Sequence, residues 1–283
     1  MERIILIETS TALCSVALTE GGAVTAYRES SEPKAHASLT AVFVQEVLAE
    51  GGVSLSDCDA VCVSMGPGSY TGLRVGVSTA KGLCFGSGKP LLAVGTLDTL
   101  VAQALSPAEA EANVEPRSGL YPGAEDSAGE YGETQSGSYR RAEACNGEYR
   151  YIIPMIDARR MEVYAAVFKN QDNPSDVIAG SEATLQLPAY TQITETAPVI
   201  VDENSFAEYL EQGPCLFIGD GAGKCADVIK HPNARFCQCH PKASSMLTPA
   251  LAAFRTGNFK DVAYFEPFYL KEFVATVSKK KLF

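Results

Sequence analysis

The chain has 283 residues, of which 46% are apolar, and its formal net charge is −11. This length and composition are typical of a globular protein with two modest domains and a sizeable core. A protein that holds nucleic acid by itself usually carries a basic stripe. Here clustered lysines occur only at 279–281. The composition therefore argues against a stand-alone nucleic-acid binder, and a partner would have to hold most of any RNA.

Compartment and metal content are predicted from what the chain lacks. Its apolar runs are far shorter than the ~20 residues that span a bilayer. The opening MERIILIETS has neither the basic start nor the cleavage site of a secretory signal. Nine cysteines are then expected to be free thiols, and Cys237, Cys239 and His240 lack a second ligand pair for zinc. We expect a cytoplasmic protein with no membrane partner and no metal.

The first 105 residues begin with a buried strand and an antiparallel hairpin that turns at Gly21 and Gly22. This opening argues against a Rossmann unit, which starts strand–helix–strand. Strands and helices then alternate, and glycines stop the helices. The predicted strands are 3–7, 14–18, 23–28, 60–65 and 91–95, and the predicted helices are 35–50, 71–86 and 96–105.

Residues 107–149 interrupt this alternation. They carry nine acidic and three basic residues, and Val114 and Leu120 are their only Leu, Ile, Val or Phe residues. Such a segment buries too little apolar surface to offset the entropy of ordering. We expect residues 106–149 to be an acidic, disordered insertion between an N-terminal subdomain (1–105) and a C-terminal subdomain (150–283).

The second half repeats the order of hairpin, helix, strand and helix, which suggests an internally duplicated α/β fold without a residue-level repeat. Its hairpin lies within 149–169 and turns around Asp157, Ala158 and Arg159. The remaining predicted elements are helices at 205–211, after Gly223 and at 244–255, and strands at 215–219 and 235–239.

Two glycine-rich turns have the look of phosphate loops. In 66–72 the glycines are spaced one residue too far for a dinucleotide fingerprint, and no Walker lysine follows. The turn either holds an anion at a helix N-terminus or is a tight turn capped by Ser69 or Thr71. GDGAGK at 219–224 lacks the flanking residues of a Walker A motif and is either a plain turn or an adenosine-side loop.

Glu8 ends the first strand and either contributes to a magnesium site or lies in a solvated turn. The residues of these vestigial nucleotide loops are Glu8, Thr9, Ser10, Gly66, Gly68, Ser69, Thr71, Gly219 and Gly221. No complete reactive set accompanies them. His36 has Thr40 where a helical metal pair needs a second histidine, and no Gly-x-Ser-x-Gly elbow is present. We therefore predict no catalytic residues.

Helix 35–50 shows two apolar faces, whereas a surface helix normally shows one, so one face is expected to meet a partner. In helix 71–86, small residues recur every four positions and allow close packing, either on its own sheet or on a partner helix. We favour the partner. The predicted interface residues are Leu39, Val42, Phe43, Val47, Gly72, Gly76 and Ala80.

Four segments carry a family resemblance: ILIETSTALCSVAL, GPGSYTGLRVGVSTAKGL, DARRMEVYAA and EPFYLKE. They resemble the TsaB (YeaZ) family, although members often have Asp where this chain has Glu8. The resemblance implies an actin-like fold of the sugar-kinase, Hsp70 and actin class, ribonuclease H-like, with two related subdomains. It also implies a non-catalytic dimerisation subunit of the bacterial tRNA threonylcarbamoyladenosine complex.

The same resemblance implies the partners. TsaD, the catalytic paralogue, would transfer a threonylcarbamoyl group to N6 of adenosine 37 in tRNAs that read codons starting with A, and the ATPase TsaE would complete the complex. TsaD would bind the helices of the N-terminal subdomain, tRNA would be reached only through the complex, and a homodimer would form without TsaD. The alternatives are an ATP-dependent phosphotransferase of the actin-like class and, third, a metalloprotease. No cofactor is expected, and nucleotide binding by the isolated subunit stays open.

Overall fold

The computed structural model describes residues 1–33, 35–106, 149–171 and 190–270. All of the predicted insertion (106–149) except its end residues, and the lysine cluster at 279–281, lie outside the described residues; Ser106 caps a helix and Tyr149 is buried. Within the described ranges, no helix combines the length and the apolar character needed to cross a membrane.

The first sheet has five strands in the order β3-β2-β1-β4-β5. β1 is antiparallel to β2, β2 is antiparallel to β3, and β4 and β5 continue the sheet in parallel with β1. The predicted opening strand and hairpin are thereby confirmed. The elements of this half are β1 (Arg3–Glu8), β2 (Cys14–Glu20), β3 (Ala23–Ser30), α1 (Ala35–Glu50), β4 (Ala60–Ser64), α2 (Tyr70–Ser87), β5 (Leu91–Val94) and α3 (Thr96–Leu105).

The second sheet repeats this plan in the order β10-β7-β6-β11-β12, and β8 and β9 extend from β6. β6 is antiparallel to β7 and parallel to β11, as β1 is to β2 and β4. The duplicated order is confirmed. The elements are β6 (Tyr151–Asp157), β7 (Glu162–Ala165), β8 (Phe168–Asn170), β9 (Tyr190–Gln192), β10 (Ala197–Ile200), α4 (Ala207–Leu210), β11 (Cys215–Gly219), α5 (Ala222–Ala226), β12 (Ala234–Gln238) and α6 (Leu247–Arg255).

Alternation along β1 divides the core of the first half. Ile5 and Ile7 pack beneath α1 and α2, whereas Ile4 and Leu6 pack with the buried residues of α6 on the other face. The helix α3 packs instead against β6 and β11 of the second sheet. Each sheet is therefore covered on one face by a helix from the other half of the chain. The predicted subdomain limits, 1–105 and 150–283, therefore differ from the packing. Helix α3 lies in the first range but packs on the second sheet, and α6 lies in the second range but packs on the first.

Candidate functional site

The loop between β4 and α2 is closed by its own chain. The Ser69 amide donates to the carbonyl oxygen of Ser10 at 2.6 Å, and the Ser69 hydroxyl accepts from the amide of Gly72 at 3.3 Å. A Cβ at Gly68 would overlap with Ser10, and one at Gly66 would lie 2.7 Å from the carbonyl oxygen of Phe268. Ser69 is therefore the helix cap, and Thr71 is exposed. These contacts favour the capped turn over an anion site.

The turn that follows β1 is buried, so the solvated-turn interpretation of Glu8 is wrong. Glu8, Thr9 and Ser10 are at most 1% exposed. One carboxylate oxygen of Glu8 accepts from the Ser10 amide at 2.7 Å, while its Oε2 and the Ser10 hydroxyl have no partner among the described residues. Burial raises the pKa of Glu8 from its ordinary value of 4.5 to about 6, against the opposing effect of the hydrogen bond from the Ser10 amide.

A magnesium site at this turn would need further ligands. The described part of the chain holds no group of three or more His, Cys, Asp or Glu side chains placed to bind a metal. His36 instead places its Nε2 2.8 Å from the carbonyl oxygen of Thr11, and the Thr40 hydroxyl donates to the His36 carbonyl. The Glu8 carboxylate alone is a poor match for a hard divalent cation.

Replacing Glu8 with glutamine should stabilise the protein at neutral pH. Because its folded pKa is raised, the folded state keeps a proton that the unfolded state has released between pH 4.5 and 6, and stability falls as pH rises through that window. The variant avoids this loss. We expect no difference near pH 4 and a gain of about 2 kcal/mol above pH 6.5, measured by urea unfolding across this range.

Asp98 titrates in an overlapping window, since burial raises its pKa to about 7. It is present in both proteins, so it cancels when the two pH profiles are subtracted. A difference that stays flat from pH 4 to 7 would contradict the assignment to Glu8.

The small residues of α2 face inward, so their assignment to a partner surface is wrong. Gly72, Gly76 and Ala80 are buried. A Cβ at Gly72 would overlap with the backbone oxygen of Thr9, and one at Gly76 would overlap with the Thr9 hydroxyl. The Thr9 hydroxyl also donates to the Gly72 carbonyl at 2.9 Å. These residues let the helix approach its own β1 turn.

On α1, two of the predicted interface residues are also buried in the subdomain core. Phe43 is 8% and Val47 0% exposed, and the half-buried Leu39 packs against the same cluster. Val42 is half-buried. The face of α1 that was predicted to meet a partner is therefore the one that packs on the core of its own subdomain. The exposed residues of α1 include Ala37 and Ala41.

The exposed face shared by α1 and α2 is therefore different from the predicted one. A shallow groove of about 420 Å³ lies between Ala37 of α1 and the outer side of α2, including Arg74 and Ser78. One turn further along α2, Gly82 has open space around it, and the Phe85 ring is 86% exposed. We call this surface the α1–α2 face; its residues are Ala37, Ala41, Thr71, Arg74, Ser78, Gly82 and Phe85.

Sequence reasoning missed Phe85, although a signal was present. The residues Ser78, Gly82 and Phe85 fall on one side of the helix, opposite the stripe formed by Gly76 and Ala80. A large aromatic among small residues on the outer side of an otherwise well-packed helix indicates a contact surface.

A segment after α6 returns to the first sheet and lies along α2. The Lys81 ammonium donates to the carbonyl oxygens of Ala263 and Phe265, and the Phe268 amide donates to the Met65 carbonyl. The motif EPFYLKE, one of the four segments that carry the family resemblance, supplies part of this segment. It borders a cavity of about 200 Å³ between the two sheets that Asp98 also lines.

The loop 219–224 serves the second sheet. Gly219 has φ 131°, and a Cβ there would overlap with the Met155 carbonyl oxygen. The Gly221 amide donates to that same oxygen at 3.1 Å, and the Asp220 carboxylate accepts from the Asp157 amide at 2.8 Å. These bonds join the loop to the end of β6. They support the plain turn over an adenosine-side loop.

The connection between β6 and β7 is strained. Arg159 and Arg160 have φ values of 70° and 51°, a left-handed conformation that costs a non-glycine residue about 1–2 kcal/mol. The Lys224 ammonium holds this connection by donating to Asp157 Oδ1 and to the carbonyl oxygens of Arg160 and Glu162 at 2.7–2.9 Å. Both arginines are exposed.

Comparison with known proteins places these features in a family context. Residues 29–124 match the family model of TsaD, the tRNA N6-adenosine threonylcarbamoyltransferase. A transferase of that name from Jannaschia is 45% identical over 26% of this chain and 20% of its own length. The segment matched by the model contains both helices of the α1–α2 face.

Two solved structures share the fold over nearly the whole chain. YeaZ from Pseudomonas aeruginosa superposes with a TM-score of 0.67 at 24% identity, covering 95% of this chain and all of that one. A second protein from the same organism, described as similar to peptidase YeaZ, gives a TM-score of 0.69 at 23% identity, covering 96% of this chain and all of that one. The fold is thus the α/β fold of YeaZ, in agreement with the actin-like, ribonuclease H-like architecture implied by the resemblance.

The tRNA threonylcarbamoyladenosine biosynthesis protein TsaB of Escherichia coli is 30% identical to this chain over 278 residues, which cover 96% of both proteins. The protein of the same name from Haemophilus influenzae is 39% identical over 36% of this chain and 42% of its own length. With full-length similarity at this level and the shared fold, the chain belongs to the TsaB (YeaZ) family.

Proposed function

We propose that this chain is a non-catalytic subunit of tRNA threonylcarbamoyladenosine biosynthesis that binds a TsaD-like transferase through the α1–α2 face. The observation that carries the proposal is the similarity to the Escherichia coli biosynthesis protein over 96% of both chains. The transferase moves the threonylcarbamoyl group to N6 of adenosine 37 in tRNAs that read codons starting with A. A TsaE-like ATPase completes the complex, and tRNA is reached only through it, in the cytoplasm.

The likeness between this chain and its proposed partner supports the choice of surface. The transferase family model matches residues 29–124, which include α1 and α2. Two proteins that share this pair of helices can meet face to face across a pseudo-twofold axis, each presenting the same elements. The same geometry accommodates a second copy of this chain, so a homodimer is expected when the transferase is absent.

The chemistry of the face suits a protein partner. Alanine, serine and glycine at Ala37, Ala41, Ser78 and Gly82 allow another helix to approach closely, and Phe85 offers an apolar anchor. Aromatic and arginine side chains dominate the energetics of many protein interfaces, and Arg74 lies in the same groove.

The non-catalytic role is supported by how the loops are used. The Ser69 amide, the Gly72 amide and one Glu8 oxygen, which a nucleotide or its metal would engage, are bonded within the chain. This arrangement favours a scaffold over the phosphotransferase alternative.

The proposal is tested by reconstitution with the transferase and ATPase of the same organism. Modified adenosine in tRNA is measured by nucleoside mass spectrometry, and binding of the chain to the transferase by size-exclusion chromatography. We expect a stable pair, tRNA modification only with all components, and no ATP turnover by the isolated chain. ATP turnover or peptide cleavage by the chain alone would contradict the scaffold role, and full modification without the chain would contradict any role.

A further inference from the structure

The connection between β6 and β7 carries two arginines that its backbone does not favour. Glycine and asparagine adopt left-handed conformations at little or modest cost, and arginine does not. Strained residues persist where the surrounding structure holds them, and they concentrate at functional sites. The motif DARRM was singled out in the sequence, and the proposed function leaves it without a role.

We propose that Arg159 and Arg160 bind phosphate groups of the tRNA backbone when the subunit works in its complex. This inference rests on the proposed function, because it needs tRNA to be brought to the subunit by the transferase. It goes further by assigning the subunit itself a direct contact with RNA.

The backbone of the β6–β7 connection is held rigidly, and it carries the side chains of Arg159 and Arg160. Lys224 uses its three donors on Asp157 and on the carbonyl oxygens of Arg160 and Glu162. Asp220 fixes the Asp157 amide from the neighbouring loop. The backbone on which the arginines stand is therefore held from two sides, which lowers the entropic cost of presenting them to a ligand.

The guanidinium groups are available for binding. Both residues are exposed, and among the residues that the structure describes neither guanidinium has a hydrogen bond or an ion pair. Arginine presents five donors in a planar fork that matches the oxygens of phosphate and carboxylate. The ligand is therefore an oxyanion.

Charge favours RNA phosphate over a protein carboxylate. The formal net charge of −11 repels a polyanion overall, so contact with tRNA has to be made at local cationic points. Two adjacent, exposed arginines are such a point. Binding to acidic side chains of a partner protein is the competing outcome of the test.

The key variant is Arg159→Asn/Arg160→Gly, which removes both charges and relieves the backbone. Two comparisons accompany it: Arg159→Lys/Arg160→Lys keeps the charge, and Arg255→Gln removes an exposed arginine elsewhere, one paired with Glu2. Each variant chain is assembled with wild-type transferase. Assembly is first measured without RNA, and the affinity of the complex for fluorescent tRNA is then measured by anisotropy from 50 to 300 mM salt.

We expect the Asn/Gly variant to raise the melting temperature by about 2–4 °C, because the relieved strain is partly offset by the remaining cost at asparagine and by the larger unfolded-state entropy of glycine. It should assemble normally and bind tRNA roughly tenfold more weakly at low salt, and the slope of log affinity against log salt should fall by about 1–2. The Lys/Lys variant should retain most of the affinity, and Arg255→Gln should match wild type.

Unchanged tRNA affinity and slope in the Asn/Gly variant would overturn the proposal. Weakened assembly in the absence of RNA would also overturn it, in favour of a protein carboxylate as the ligand. If the wild-type pair itself does not assemble, the proposed function fails. The arginine contact needs the complex and fails with it; where the pair does assemble, the tRNA affinity and its salt dependence alone decide the arginine contact.

Discussion

Replacing Gly72 with alanine is expected to lower the free energy of unfolding by about 3 kcal/mol, although alanine favours helix by about 1 kcal/mol over glycine. The added methyl group would overlap with the backbone oxygen of Thr9, which cannot rotate away as a side chain can. Thr9 in turn is fixed by its own bond to the Gly72 carbonyl. The measurement is urea or thermal unfolding of the isolated chain, where the loss corresponds to a fall of roughly 10 °C.

The same helix offers a matched control. Gly82 has nothing within 4 Å of its added Cβ and lies on the exposed side. Gly82→Ala should therefore gain about 1 kcal/mol from helix propensity alone. If both alanine variants were stabilised, the close approach of α2 to the β1 turn would be refuted. Because Gly82 lies on the face proposed to form the homodimer, the measurements are made at a protein concentration at which the chain is monomeric.

Replacing Phe85 with serine is expected to weaken binding to the transferase by at least about 30-fold, which is the size of a typical interface hot spot. The ring is 86% exposed and contributes little to the subunit itself, so its loss should change the free energy of unfolding by no more than about 0.5 kcal/mol. Affinity is measured by calorimetry with the purified transferase, and stability by thermal unfolding.

Ile200→Ser serves as the control, because Ile200 is 76% exposed on β10 of the second sheet. It should leave the affinity unchanged. If the two variants had equal effects on affinity, or if Phe85→Ser had none, the assignment of the interface to the α1–α2 face would be contradicted.

Local patterns in the sequence were sufficient for the elements of the first half, whereas in the second half β9 and β10 were not predicted and the second strand of the hairpin is divided into β7 and β8. Helix α1 runs from Ala35 to Glu50 as predicted, and α2 from Tyr70 to Ser87 extends the predicted range by one residue at each end. Glycine stops, turn residues and apolar periodicity act within a few residues, so a single sequence contains them. The order of hairpin and parallel strands followed from the same signals.

The direction in which each helix face points could not be predicted in this way. Close packing on a partner and close packing on the chain's own sheet need the same small residues, and the contact of Gly72 with Thr9 spans 63 positions in the sequence. The apolar residues of α1 lay on both sides of the helical wheel. In the folded chain Phe43 and Val47 pack in the core of the first half, and Ala37 and Ala41 face outward.

The burial of Glu8 was missed for a related reason. A polar run such as Glu-Thr-Ser-Thr after a strand is typical of an exposed turn. Here α2 and the segment around Ala243 cover it, the latter through a hydrogen bond from the Ala243 amide to the Ser15 hydroxyl. Only the assembled fold reveals that cover.

Because α3 packs on the second sheet and α6 on the first, neither half of the chain can complete its core without the other. Leu100 of α3 is fully buried in the core of the second sheet, and Ala250 of α6 in that of the first. A fragment ending before the insertion would leave α3 without its sheet and its own sheet uncovered on one face. The halves should therefore be insoluble when expressed singly and recover only when expressed together, and the whole chain should unfold in one cooperative transition.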